Sequence, residues 1–196
     1  MFLKPWIGEK YHQGINNEKI LIFGESHYFG ETFDNTQVES DLTPKALSEI
    51  IENRKKYKFF INIGQLFNED WTHVWDKVAF ANLIQHVFTN PNEQPGTEHI
   101  ATVIAFYKYL DLLKPDKVIV SSSRAWCNWF SKHIDTKDGV ELIKGAKIGI
   151  SHVFKFPHSS GTSLAIGINH GSDRISAEMY NDKWKPEIEK FLAYKV

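Results

Sequence analysis

The segment Gly24-Glu25-Ser26-His27-Tyr28-Phe29-Gly30 brings a carboxylate, a hydroxyl, an imidazole and two aromatic rings into one short stretch. A carboxylate such as Glu25 can orient or deprotonate water, and an imidazole such as His27 changes charge close to neutral pH. Ser26 adds a hydroxyl, Tyr28 and Phe29 offer faces for a flat ligand, and Gly24 leaves room for close approach. A polar loop that bonds its own backbone uses similar residues. The glycine spacing is not that of a dinucleotide fingerprint. A second cluster, Pro157-His158-Ser159-Ser160-Gly161, supplies another imidazole, and its Ser-Ser-Gly run offers N–H groups to an anion or carbonyl. Asn82 sits in the apolar run that begins Val78-Ala79-Phe80-Ala81. Its amide has to satisfy up to four hydrogen bonds, so it either braces a loop or meets the edge of a ligand. His12, His73, His86, His99, His133, His152 and His170 show no metal-ligand spacing and read as packing or surface residues. Ser26 or Ser159 as a hydrolytic nucleophile lacks the Gly-x-Ser-x-Gly elbow.

The elements around these residues follow from hydrophobic patterning. Lys19-Ile20-Leu21-Ile22-Phe23 and Val118-Ile119-Val120 read as strands buried on both faces, with further strands over 146–150 and 152–156. Thr43-Pro44 reads as a cap and first helical position, followed by Leu47, Ile50 and Ile51 at helical spacing. Thr97 reads as the cap of a second helix carrying Ile100, Ile104, Tyr107 and Leu110, which ends before Pro115. A third helix starts around Ala125, and a fourth, near Trp184, carries Ile188, Phe191 and Leu192. Alternating buried strands and helices predict an open α/β sheet whose ligands gather at the carboxyl ends of the strands. That rule selects the loops 24–30, 121–126 and 157–161. It predicts Phe23, Val120 and Ile150 on neighbouring parallel strands, with Gly24, Ser121 and Pro157 at one end of the sheet.

Length and charge narrow the classes. A chain of 196 residues is expected to form one domain over 1–196, with 42% hydrophobic and 24% charged residues. With 23 basic against 24 acidic residues the net charge is -1, so a nucleic-acid partner has to meet a local patch. The dense cluster is Arg54, Lys55, Lys56 and Lys58, which a solvated helix end also explains. The single cysteine, Cys127, excludes an internal disulfide and cysteine-rich metal centres and fits a reducing cytoplasm. No apolar run reaches the length of a membrane span, so no membrane partner is expected. Aromatic residues make up 14%, enough to leave rings for a ligand as well as for the core.

Taken in order from Lys19 to Gly161, these clusters resemble the uracil-DNA glycosylase superfamily. Gly24-Glu25-Ser26-His27-Tyr28 is similar to the Gly-Gln-Asp-Pro-Tyr or Gly-Glu-Ala-Pro-Gly type loop that ends its first strand. Phe80-Ala81-Asn82 resembles the strand that ends in a base-reading Asn. Pro91 through Pro95, Glu98 and Lys114-Pro115-Asp116-Lys117-Val118-Ile119-Val120 resemble the Pro-rich stretch and the Lys-Pro-x-x-Val-Ile-Val strand. Phe156-Pro157-His158-Ser159-Ser160 resembles the closing His-Pro-Ser type loop, with either Phe156 or His158 at the histidine position.

The resemblance implies a three-layer α/β/α sandwich with a mostly parallel central sheet. It further implies hydrolysis of the N-glycosidic bond of a damaged or deaminated base in DNA, without metal or organic cofactor. In that scheme Tyr28 or Phe29 stacks on a flipped base, Asn82 pairs with its edge, His158 stabilises the leaving base, and Glu25 or His27 positions water. Gly24, Ser26 and Ser159 complete the expected binding residues. Ser26 stands where several members of the superfamily have Asp or Asn, and a hydroxyl cannot replace a carboxylate in that role. Two other readings stand beside this one: a catalytically inactive base- or nucleotide-binding protein on the same scaffold, and a small-molecule hydrolase using Ser and His.

Overall fold

The structure, a computed structural model, describes residues 2–29, 38–90, 99–127, 141–148 and 151–195. Its centre is a seven-stranded sheet. Strands are numbered in chain order: β1 Trp6–Ile7, β2 Ile20–Gly24, β3 His27–Tyr28, β4 Val78–Asn82, β5 Val87–Phe88, β6 Lys117–Ser121, β7 Glu141–Ile148, β8 Ser151–His158 and β9 Gly161–Ile168. The order across the sheet is β1-β4-β2-β6-β9-β8-β7. The inner strands β4, β2, β6 and β9 run parallel, while β1, β8 and β7 join antiparallel at the flanks. Phe23 pairs with Val120 and Gly24 with Asn82, so the ends of three parallel strands meet.

The apolar runs produce this sheet because each inner strand buries both of its faces. Leu21, Phe23, Ala79, Ala81, Val118, Val120 and Ala165 face one core, which also contains Phe106, Tyr109 and Leu110 of helix α4, His99–Leu113. Ile20, Ile22, Val78, Phe80, Ile119 and Ile166 face a second core. That core is closed by α1 (Leu42–Glu52), α2 (Lys58–Gly64), α3 (Trp71–Lys77) and α6 (Ala177–Ala193). Helices therefore cover both faces of a mixed, centrally parallel sheet. A one-turn helix, α5, spans Ser123–Ala125. Among the described residues no helix is long and apolar enough to cross a membrane.

Several local expectations shift. Helix α1 starts at Leu42 behind Asp41, so Thr43 and Pro44 lie inside its first turn. The Thr43 hydroxyl is 2.8 Å from His27 Nε2 and is occupied by that contact rather than by a cap. Pro157 and His158 do not end a parallel strand. β8 runs antiparallel to β9, with His158 opposite Gly161, so the 157–161 turn lies at the amino end of the parallel strands. Ser159 N–H donates to Asp111 there. The strand on the other side of Val120 from β2 is β9, which the expected strand set lacked. Gly30, Pro91 through Pro95, Thr97, Glu98, His133 and Ile150 lie outside the described residues.

Candidate functional site

A cavity of about 440 Å³ opens at the carboxyl end of the parallel strands, between the sheet and helices α1 and α2. Its wall takes in the whole run from Gly24 to Phe29, together with Asn82 and His170. Phe59, Phe60 and Phe80 complete it from α2 and β4. This is where an open α/β sheet places ligands, because the strand ends and their loops converge there. The volume falls in the range of small-molecule sites.

The Glu25 loop is held rigidly. His27 and Tyr28 form a two-residue strand parallel to Val87–Phe88, and Phe29 N–H donates to Phe88 O at 2.9 Å. Leu83 N–H and Ile84 N–H donate to the carbonyls of Gly24 and Glu25. Glu25 leaves the strand with its side chain 11% exposed and accepts on both oxygens. Ser122 Oγ donates to Oε2 at 2.7 Å, and Arg124 pairs with Oε1. The same Ser122 hydroxyl accepts from Ala125 N–H as the cap of α5. The hydroxyl thus bridges the α5 backbone and Glu25, and the arginine sets a positive charge against the carboxylate.

Asn82 is 5% exposed, lines the cavity, and its side-chain amide forms no hydrogen bond among the described residues. Gln85 Nε2 donates to its main-chain carbonyl instead. Gly24 lies across the ladder from it. A Cβ at Gly24 would overlap Asn82 Oδ1 and reach Phe80 Cζ at 3.0 Å, so the glycine keeps the amide in place. Ser26 Oγ, also in the wall, is buried without a partner. Buried polar atoms are nearly always paired in folded proteins, so the Ser26 hydroxyl is a group awaiting a ligand or water, and the unpaired Asn82 amide opens to the same cavity.

His27 and His170 both line the cavity, and burial pushes each down to about 4. For His170 the Asp173 carboxylate opposes that shift and the Arg124 charge adds to it. The His170 ring lies 5.0 Å from the Phe59 ring. Its Nδ1 accepts from Ser172 N–H at 3.3 Å and lies 2.7 Å from Ser172 Oγ. Because a backbone N–H only donates, the hydrogen-bond pattern assigns the proton of the neutral ring to Nε2. That N–H finds no partner among the described residues.

The loop carrying His170 is fixed from three sides. Asn62 Nδ2 donates to Gly171 O at 2.7 Å, Ser121 Oγ donates to Asn169 O and accepts from Gly171 N–H, and Tyr180 donates to Asn169 O. Lys58 reaches the carbonyls of Asp173 and Ile175.

Of the residues expected from sequence, the structure gathers Gly24, Glu25, Ser26, His27, Tyr28, Phe29 and Asn82 around one cavity. It does not bring His158 or Ser159 there, since both sit at the other end of the sheet. The histidine at the strand end is His170, two residues beyond β9, which without metal-ligand spacing reads from sequence as a packing or surface residue. Tyr28 is 44% exposed at the rim and its ring stacks on Phe88 at 5.4 Å, so the inner aromatic wall is Phe29, Phe59, Phe60 and Phe80. Phe59 and Phe60 lie in α2, a helix that was not among the expected elements, so no sequence signal marked them. The basic cluster is largely committed: Arg54 is bound by Asp70 on both oxygens, Lys58 by the two carbonyls, and Lys55 by Glu49 at the cavity wall. Among the described residues no group of three or more His, Cys, Asp or Glu side chains is placed to hold a metal ion. The chain matches no protein-family model and no curated protein.

Proposed function

We propose that the protein is a divergent uracil-DNA glycosylase-like protein that takes a single nucleobase into this cavity. The observation that carries the reading is the Asn82 amide, buried, unpaired, and set in a pocket walled by Phe29, Phe59 and Phe80. An amide offers a donor and an acceptor side by side, as the edge of a base does, and aromatic rings hold the base faces. The resemblance is then carried at its closing loop by His170-Gly171-Ser172 rather than by residues 156–160. A neutral His170 donating from Nε2 stabilises negative charge on a departing base without transferring a proton. Glu25 is the wall carboxylate at the strand end and carries the role of orienting water.

A second reading, a base-binding protein without turnover, is favoured by Glu25 itself. Both carboxylate oxygens already accept hydrogen bonds from Ser122 and Arg124, which lowers the basicity left for water. Base release from uracil-, hypoxanthine- and xanthine-containing DNA separates the two. Turnover that falls about 10²-fold or more in Glu25→Gln and in His170→Asn supports hydrolysis. Base binding without abasic product supports the second reading, and neither binding nor release removes both. Any DNA contact through the cluster has Lys56 as its uncommitted cation among the described residues. The expected slope of log affinity against log salt is therefore about -0.9, and a steeper slope would locate the contact elsewhere.

A further inference from the structure

We infer that Tyr28 is a stacking platform for the base next to the one in the cavity, so that the site takes its base from within a strand rather than as a free base or nucleoside. This rests on the reading of the cavity as a base pocket and names the form in which the base arrives. Among the described residues the exposed aromatic side chains are Tyr28, at 44%, and Tyr57, at 54%, and both belong to the cavity wall. Every other described Phe, Tyr or Trp side chain is buried or half-buried. Tyr28 is also held still. It lies in β3, paired with β5, and its ring stacks on Phe88 at 5.4 Å with 26° between the planes. Phe88 is 3% exposed and meets His86 edge-on at 5.0 Å. With one face of Tyr28 set against Phe88, the surface it shows to solvent is its other face and edge. Tyr57 has no such backing ring among the described residues.

The occupant of that face follows from what is covalently attached to a base held in the cavity. In a strand the next nucleotide is one phosphate away, at the mouth, and every base has a face that stacks on an aromatic ring whatever its identity. The phosphate meets Lys56, which is exposed, lies in the chain between Lys55 and Tyr57 of the wall, and has no ion pair among the described residues. The Glu49–Lys55 pair in the same wall carries no net charge to oppose it. Phe29, Phe59 and Phe80 then serve the base inside the cavity and Tyr28 serves its neighbour outside. A free base or nucleoside leaves both Tyr28 and Lys56 unused.

The test uses the full chain and dinucleotides with uracil, hypoxanthine or xanthine as the pocket base and, on its 5′ or 3′ side, either adenine or an abasic tetrahydrofuran spacer. A 2′-fluorine on the sugar of the pocket base opposes positive charge at C1′ and keeps the N-glycosidic bond intact during titration. For the base that the cavity takes, the adenine dinucleotide on one side is expected to bind about 10-fold tighter than its spacer counterpart, the scale of one base–aromatic stack. Tyr28→Phe keeps the ring and is expected to keep that gain, whereas Tyr28→Ala is expected to lose it. Tyr28→Leu preserves an apolar contact with Phe88 without a ring face, so it replaces the alanine variant should that one not fold. Equal binding of adenine and spacer dinucleotides on both sides, with the matching mononucleotide still bound, overturns the inference and leaves the base pocket standing. A gain that survives in folded Tyr28→Ala or Tyr28→Leu, or that is lost only in Tyr57→Ala, also overturns it. Binding of no mononucleotide or dinucleotide of the three bases overturns the base pocket, and the inference with it.

Discussion

At the scale of single residues, the telling feature is how little the protein itself uses Asn82. Its amide has no protein partner to lose, so Asn82→Ala is expected to change unfolding free energy by less than about 1 kcal/mol while lowering base affinity about 10-fold or more. Thermal unfolding beside base titration checks both halves. A large loss of stability with unchanged base affinity would make Asn82 a bracket of the fold instead. Gly24→Ala acts on the same amide from across the ladder, because the added methyl needs the space of Asn82 Oδ1 and the Phe80 ring. It is expected to weaken base binding through Asn82 without touching the ligand. The notable exchange at this scale is between His158 and His170. Both are followed by small polar residues that bond Nδ1, Ser160 in one case and Ser172 in the other. Their local sequences look alike, and only the strand direction separates them.

Among the elements, β9 decides the site. Its parallel pairing with β6 carries the chain from the amino to the carboxyl end of the sheet, and His170 follows directly. The 157–161 turn is then left at the starting end of that strand. Helix α2 makes the placement firm: Phe59 and Phe60 wall the cavity while Asn62, one turn on, anchors the backbone of Gly171. Asn62→Ala is accordingly expected to cost about 1–3 kcal/mol, the range for leaving a buried carbonyl unpaired, and to reduce base affinity by loosening His170. Ser159→Ala, at the other end of the sheet, is expected to leave base affinity unchanged. Chemical denaturation and base titration of the two variants test the contrast, and equal losses of affinity in both would show that the cavity is not the binding site. The patterns of α1, α4 and α6 were readable from apolar spacing, whereas α2 and α3 were not among the expected helices. The start of α1 was not readable, because Thr43 has a cap residue's chemistry but gives its hydroxyl to His27, which lies 16 residues earlier in the chain.

Across the whole molecule, two half-buried histidines held neutral in one cavity tie stability to pH. His27 and His170 are each pushed by burial from 6.5 down to about 4. Between those values the unfolded chain takes up protons that the folded chain refuses, so their contribution is complete above about pH 6.5 and is lost as the pH falls towards 4. The loss amounts to at most about 3 kcal/mol per ring, given 1.36 kcal/mol for each unit of pKa. Denaturation free energies measured from pH 7 to 4 should decline over that window, and the decline should be smaller in His27→Gln and in His170→Asn. A flat profile in the native chain would contradict the neutral, desolvated rings. The amino-acid sequence by itself determined the inner strands β2 and β6, the helices α1, α4 and α6, and the grouping of Glu25, Ser26 and His27 at a strand end, while Asn82 stood in an apolar run whose strand came from the resemblance. Runs buried on both faces and helical periodicity are local properties, and neighbouring residues suffice to express them. Tertiary structure alone decided which histidine joins that group, which rings form the wall, and that Glu25 pairs with Arg124. Each of these depends on strand direction or on partners distant in sequence, 99 residues apart for Glu25 and Arg124, and no local pattern encodes a contact of that span.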